Sequence, residues 1–89
     1  MGNISNAEAL AGLKGLNSES ASGYEVSVCM HGHHGPDWSW VAIRYPLAAD
    51  RLKEPTEIVR DFDGLKWPDI LTWAREYLRD HPADGFYFI

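Results

Sequence analysis

The stretch Trp67-Pro-Asp-Ile-Leu-Thr-Trp-Ala-Arg-Glu-Tyr-Leu-Arg-Asp80 carries the clearest secondary-structure signal in the chain. From Ile70 onward its apolar residues occupy positions i, i+1, i+4, i+7 and i+8, the spacing of one face of an α-helix. Pro68 suits the first helical turn, where its missing N–H would have no partner, and Pro82 ends the pattern. The stretch therefore predicts an amphipathic helix that packs on another layer.

Four other segments read as strands. Tyr24–Met30 alternates strictly between apolar and polar positions, and segments 38–45 and 56–62 are rich in β-branched and aromatic residues. Segment 85–89, after the main helix, is short and very apolar. The chain order helix–β–β–β–helix–β predicts an α+β fold, with a mainly antiparallel four-stranded sheet (β-β-β-α-β) and one long helix packed on a face.

The N-terminal region predicts a second, shorter helix. Ser5-Asn-Ala-Glu8 has the pattern of a capping box, and Leu10, Leu13 and Leu16 follow at helical spacing. We therefore divide a single domain, 1–89, into a capped N-terminal helix (1–16), a small-polar linker (17–23) and the sheet with its main helix (24–89).

The amino-acid composition of the chain indicates which class of partner it can bind and in which cellular compartment it is expected. The formal net charge is −5, and the excess of acids is concentrated in the second half of the chain. Such a chain is a poor candidate for direct nucleic-acid binding, which needs cations to neutralise phosphates, and it suits a larger protein with a basic surface. A single cysteine fits a reducing compartment, and no stretch resembles a secretory signal or a membrane span. We expect a cytoplasmic protein with no cofactor and no membrane contact.

The tryptophans are candidate contact residues. Trp73 lies outside the apolar stripe of the main helix, beside Asp69, Glu76 and Asp80. A large ring on an acidic rim is typical of a protein-binding hot spot, although a curled sheet could instead cover it. Trp38 and Trp40 share one side of their strand and are either contact residues or buried under the N-terminal helix. The candidate partner-binding set also includes two acids at the strand–helix junction, Asp61 and Asp63.

The turn after the first strand offers an alternative chemistry. It gathers one thiol and three imidazoles, groups that bind zinc, copper or nickel: Cys29, His31, His33 and His34. Their spacing is not that of a structural zinc finger, so the competing interpretation is a solvated turn shaped by glycine and proline. Cys29 near a histidine and Asp37 also has the residue types of a thiol hydrolase, but no catalytic motif accompanies them, and we predict no enzyme.

The strand–helix junction resembles a known family. Val59-Arg-Asp-Phe-Asp63, followed by Ile70-Leu-Thr-Trp73, is similar to a stretch of small type I anti-CRISPR proteins, phage-encoded inhibitors in which a three-stranded meander leads into a helix bearing Leu and Trp. The resemblance implies a protein that binds a CRISPR effector subunit and blocks access of target DNA.

The function predicted from these patterns is that of a non-enzymatic protein-binding inhibitor, with the anti-CRISPR activity as its concrete form. One alternative is a metal-binding module built on the Cys29–His34 turn. The other is a generic adaptor or a homodimer, formed through the terminal strand or the face that carries Trp38 and Trp40.

Overall fold

A computed structural model describes residues 4–32, 38–47 and 56–88, and it contains two helices and four strands in the predicted chain order. These elements are α1 (Asn6–Gly15), β1 (Tyr24–Gly32), β2 (Trp38–Pro46), β3 (Glu57–Asp61), α2 (Trp67–Asp80) and β4 (Gly85–Tyr87). The prediction of a small α+β fold with one long and one short helix is confirmed.

The sheet is mixed, and in this the structure corrects the prediction of a mainly antiparallel sheet. Its strand order is β3-β2-β1-β4: β2 is antiparallel to both β1 and β3, whereas β4 is parallel to β1. α2 returns the chain to the end of the sheet at which β3 began, so β4 runs in the same direction as β3 and hence as β1. β4 thus occupies the edge next to β1 and opposite β3.

One face of the sheet carries the core. Val28 faces Ala42 across the β1–β2 pair, and both belong to the same buried cluster as Leu13 of α1 and Ile70 of α2. Both helices therefore pack on this face. The next residues along each strand, Cys29 and Val41, pair on the opposite face. We call it the open face because neither residue belongs to the helix-covered cluster, although the Val41 side chain is only 1% exposed.

The capping box predicted for α1 is present. The Glu8 N–H donates to Ser5 Oγ at 3.1 Å, and the Ser5 N–H donates to Glu8 Oε1 at 3.3 Å. These bonds satisfy two N–H groups that the first helical turn cannot pair internally. α1 then packs closely on α2, since a Cβ added at Gly12 would lie 2.8 Å from Leu71 Cδ2.

The segment predicted as a polar linker is held against the C-terminal strand. Ser18 and Phe86 exchange two backbone hydrogen bonds of 3.0 and 3.1 Å. Asn17 also binds the backbone of Phe88 twice, donating from Nδ2 to the carbonyl at 2.9 Å and accepting at Oδ1 from the N–H at 2.7 Å. β4 therefore has partners on both sides, β1 on one and Ser18 on the other, and Asn17 holds the residue that follows the strand.

Candidate protein-binding site on the main helix

A continuous line of stacked rings runs along one flank of α2. Trp73, Tyr77 and His81 are spaced four residues apart, so they lie above one another on the helix. The ring centroids of Trp73 and Tyr77 are 5.1 Å apart, and those of Tyr77 and His81 are 4.1 Å apart. Phe62, just after β3, extends this aromatic row with an edge contact to Trp73 at 5.2 Å.

Trp73 lies at the boundary between core and surface. Its side chain is half-buried, and it packs against the core cluster as well as against Phe62 and Tyr77. The ring therefore contributes to packing, and its exposed part lies at the surface beside the acids of α2.

Three exposed carboxylates border the aromatic row on α2, and they are the acids predicted there: Asp69, Glu76 and Asp80. Asp80 Oδ1 lies 3.4 Å from Nε of Arg79, an exposed pair of the kind that contributes little stability. Asp69 also accepts from the Lys66 N–H at 3.4 Å and so supports the start of the helix. Glu76 has no such contact among the described residues.

Asp61 and Asp63 lie at the end of β3 and are both exposed. Asp61 Oδ1 accepts from the Asp63 N–H at 2.9 Å, and Gly64 follows with a φ of 78°, a backbone conformation that favours glycine. The two acids therefore form the turn that leads into α2. Because Asp61 pairs with Val41, its side chain lies on the open face, on the other side of the sheet from the aromatic row.

Trp40 belongs to a separate aromatic cluster. Its ring lies 4.8 Å from that of Trp67 and 6.3 Å from that of Phe88, on the face covered by the helices. It is partly buried, and the rings that contact it belong to the start of α2 and to the C-terminal residues. The structure does not bring Trp40 next to Trp73, and the side chain of Trp38 lies outside the described residues.

The candidate metal ligands are described only in part. Cys29 is half-buried on the open face, and burial raises the pKa of its thiol, which favours the protonated form over the thiolate that binds metals. His33 and His34 lie outside the described residues, as does the side chain of His31. Within the part of the chain that the structure describes, no group of three or more His, Cys, Asp or Glu side chains could hold a metal ion.

The most elaborate polar arrangement of the described residues surrounds Asp84, which is only 5% exposed. Its carboxylate accepts from Arg44 Nε at 2.9 Å, from Ser22 Oγ at 2.7 Å and from the Tyr77 hydroxyl at 3.1 Å. The Arg44 guanidinium also lies 3.9 Å from the centroid of the Tyr24 ring. We call the three donors and their acceptor the Asp84 network.

The Asp84 network changes the pKa values of Asp84 and Tyr77. Burial alone would raise the pKa of Asp84, but the hydrogen bonds from Arg44, Ser22 and Tyr77 together hold it below its ordinary value. Burial, and then the hydrogen bond to Asp84, raise the pKa of Tyr77 to about 12. The network therefore keeps Asp84 charged and Tyr77 neutral. It also fixes the Tyr77 ring, which stacks between Trp73 and His81.

Sequence reasoning missed the Asp84 network because Ala-Asp-Gly after a proline has the composition of an ordinary turn. The aromatic row, in contrast, could have been found, since Trp73, Tyr77 and His81 recur at the helical spacing of four residues.

Comparison with models of known protein families, with curated proteins and with solved structures finds no match to this chain. Among the residues described, no helix has the length and apolar character needed to cross a membrane. The geometry of α2 and its surroundings is therefore the basis for a functional proposal.

Proposed function

We propose that this protein binds a larger protein through one flank of α2 and inhibits it by occupying a basic surface. The observation that carries the proposal is the half-buried Trp73, stacked on Tyr77 and bordered by exposed acids. We define the α2 flank by Asp69, Trp73, Glu76 and Asp80, with Asp63 in the turn that precedes the helix. Asp61, which pairs with Val41 on the open face, is not part of it.

Two physical effects contribute to binding at such a surface. The exposed carboxylates attract a basic partner and accelerate the encounter, an effect that weakens as salt is added. The exposed part of the Trp73 ring supplies apolar area that loses water on binding, as aromatic hot-spot residues do. Because the Asp84 network holds Tyr77, the Trp73 ring rests on a fixed neighbour, which lowers the entropic cost of ordering it in a complex.

The anti-CRISPR activity is the concrete form of this proposal. The residues that carry the resemblance, Val59–Asp63 and Ile70–Trp73, supply part of the α2 flank, including Asp63 and Trp73. We infer that the partner is a subunit of a type I CRISPR effector complex, whose DNA-binding surface is basic by necessity. No catalysis is required, since occupying that surface is enough to exclude target DNA.

The direct test measures whether the purified protein reduces binding of target DNA by a purified type I effector complex. Glu76→Lys reverses a charge that makes no described contact, so it should weaken inhibition by about tenfold or more without affecting folding. Glu19→Lys is the matched control, because Glu19 is also exposed but belongs to the 17–23 segment rather than to α2.

Failure of a folded wild-type protein to bind any type I complex would reject the anti-CRISPR form of the proposal. If binding occurs but Glu19→Lys weakens it as much as Glu76→Lys does, the attraction depends on net charge alone and the α2 flank is not the contact surface.

A further inference from the structure

The chain contains two Asp–Gly pairs, Asp63-Gly64 and Asp84-Gly85, and the structure places them in opposite surroundings. In an Asp–Gly pair the backbone reacts with its own side chain more readily than in other sequences, because glycine has no Cβ to hinder the approach of its nitrogen to the preceding carboxyl group. In a folded protein the reaction also requires that both groups be free to move. The two pairs can therefore be compared within one molecule.

Asp63-Gly64 lies in the middle of an exposed turn between β3 and α2. The Leu65 N–H donates to the Phe62 carbonyl at 2.8 Å and Gly64 has a φ of 78°, which are the features of a type II turn. No described residue accepts from the Gly64 N–H, and none donates to the Asp63 carboxylate. A Cβ added at Gly64 would meet nothing within 4 Å, so the peptide between the two residues has room to rotate.

Asp84-Gly85 has none of this freedom. Asp84 is only 5% exposed, and the three donors of the Asp84 network hold its carboxylate. A Cβ added at Gly85 would lie 2.9 Å from the Ser20 nitrogen and 3.0 Å from the Ser18 oxygen, so neighbouring backbone packs directly against this glycine. The network also keeps the carboxylate charged by lowering its pKa, and a carboxylate anion is a poorer electrophile than a carboxylic acid.

We propose that Asp63 is a site of spontaneous isomerisation to isoaspartate in the folded protein, whereas Asp84 is protected from this reaction. The Gly64 nitrogen attacks Cγ of the protonated Asp63 side chain, a new N–C bond closes a succinimide ring, and water leaves with the carboxyl hydroxyl and the amide proton. A second water molecule then opens the ring. Cleavage of the new N–C bond restores aspartate, and cleavage of the original peptide bond gives isoaspartate.

The isoaspartyl form has a longer connection between β3 and α2. Its main chain passes through Cβ and Cγ of Asp63, so one carbon atom is added between Phe62 and Gly64. The turn hydrogen bond from Leu65 and the edge contact of Phe62 with Trp73 both belong to the shorter connection. The former backbone carbonyl becomes an exposed carboxylate, which is the group that protein isoaspartyl methyltransferases methylate. The modified protein should therefore be less stable and should be a substrate of such an enzyme.

The test incubates the folded wild-type protein near neutral pH and measures isoaspartate at each position by proteolysis and mass spectrometry, with an isoaspartyl methyltransferase as the detecting reagent. We expect isoaspartate to accumulate at Asp63 and to remain undetectable at Asp84. In water labelled with a heavy oxygen isotope, the product formed through the ring should carry one labelled oxygen atom. The same incubation in denaturant should give isoaspartate at both positions, because unfolding removes the protection of Asp84.

Asp63→Glu is the matched control, because it keeps the charge but would have to close a larger ring. This variant should give no modified product at position 63. Asp63→Asn should give the same ring faster than the wild type, because its uncharged amide loses ammonia whereas an ionised carboxylate reacts poorly.

Isoaspartate that forms at Asp63 in denaturant but not in the folded protein would overturn the inference, since the turn would then be too rigid to react. Equal accumulation at Asp63 and Asp84 in the folded protein would also overturn it, because the Asp84 network would then offer no protection. Neither result bears on inhibition by the α2 flank, which is measured on freshly purified protein, so this inference does not depend on the proposed function.

Discussion

Arg44 and Asp84 form a hydrogen-bonded ion pair, with Arg44 Nε 2.9 Å from Asp84 Oδ2, although forty residues separate them in the chain. The pair links β2 to the turn between α2 and β4. Ser22 and Tyr77 donate to the same carboxylate, so one buried acid connects four separate segments of the chain. Removal of this acid should therefore cost more than removal of a partner from an exposed ion pair, because it leaves buried donors without their acceptor.

Asp84→Asn should lower the free energy of unfolding by about 2–3 kcal/mol, because it removes the charge that three donors bind in a buried site. Asp80→Asn is the matched control, since the Asp80 side chain is 64% exposed and pairs only with the exposed Arg79. We expect the control to change stability by less than about 0.5 kcal/mol. Chemical denaturation of both variants near neutral pH measures the difference.

The pH dependence of stability provides a second test of Asp84→Asn. The folded-state pKa of Asp84 lies below its unfolded value, so the stability due to its charge is present above about pH 4 and is lost as the pH falls through the lower folded-state pKa. The stability gap between wild type and Asp84→Asn should therefore shrink in strong acid. A gap that stays constant in acid would mean that the charge of Asp84 is not the source of the stabilisation.

Tyr77→Phe should change the response of the protein to alkali. The pKa of Tyr77 is raised from 10.0 to about 12 in the folded state. Stability that depends on the neutral phenol is complete below the unfolded pKa and is lost as the pH rises toward 12. Between these values the wild type should lose more stability than Tyr77→Phe, as followed by far-ultraviolet circular dichroism. Tyr87→Phe, at a ring that is 47% exposed, is the control and should behave as wild type.

Trp73→Ala should cost about 2–3 kcal/mol of stability, less than a fully buried tryptophan, because the half-buried ring packs on Phe62 and Tyr77. Trp73→Phe keeps a ring in contact with both neighbours and should cost about 1 kcal/mol or less. Thermal unfolding separates the two variants. Equal stability of Trp73→Ala and wild type would show that the ring is purely a surface group.

Gly12 and Gly15 both lie in α1 but have different surroundings, so alanine variants at the two positions can be compared directly. Gly15→Ala should stabilise the protein by about 0.5–1 kcal/mol, since helix propensity improves and the new Cβ meets nothing within 4 Å. Gly12→Ala gains the same propensity, but its Cβ would lie 2.8 Å from Leu71 Cδ2, and Leu71 is fixed in the core. We expect a net loss of about 1 kcal/mol at Gly12. Denaturant midpoints of the two variants should therefore move in opposite directions.

Local patterns in the sequence predicted most of the elements, because each pattern reports a local preference. The alternation of Tyr24–Met30 and the capping box of Ser5 and Glu8 both appear in the structure as predicted. The place of β4 could not be predicted in the same way. A three-residue strand contains no signal for which edge it joins, and its position depends on hydrogen bonds to the distant residues Asn17 and Ser18.

The candidate site was predicted in part for the same reason. The acids of α2 and Trp73 share a helical flank that follows from their spacing. The support of that flank by Asp84 depends on residues from three other segments, among them Arg44 and Ser22, and no local pattern brings these together. The side of the helix that faces β3 also depends on the tertiary contact between Phe62 and Trp73.

The two hydrogen bonds between Asn17 and Phe88 join residues 71 positions apart. A nascent chain cannot form them until Phe88 has been added, whereas the residues of α1, β1 and β2 are synthesised earlier. During that interval the β1 edge reserved for β4 is unprotected, and exposed strand edges promote association between chains. Docking of β4 therefore completes the sheet and at the same time closes an edge at which incompletely folded chains could associate.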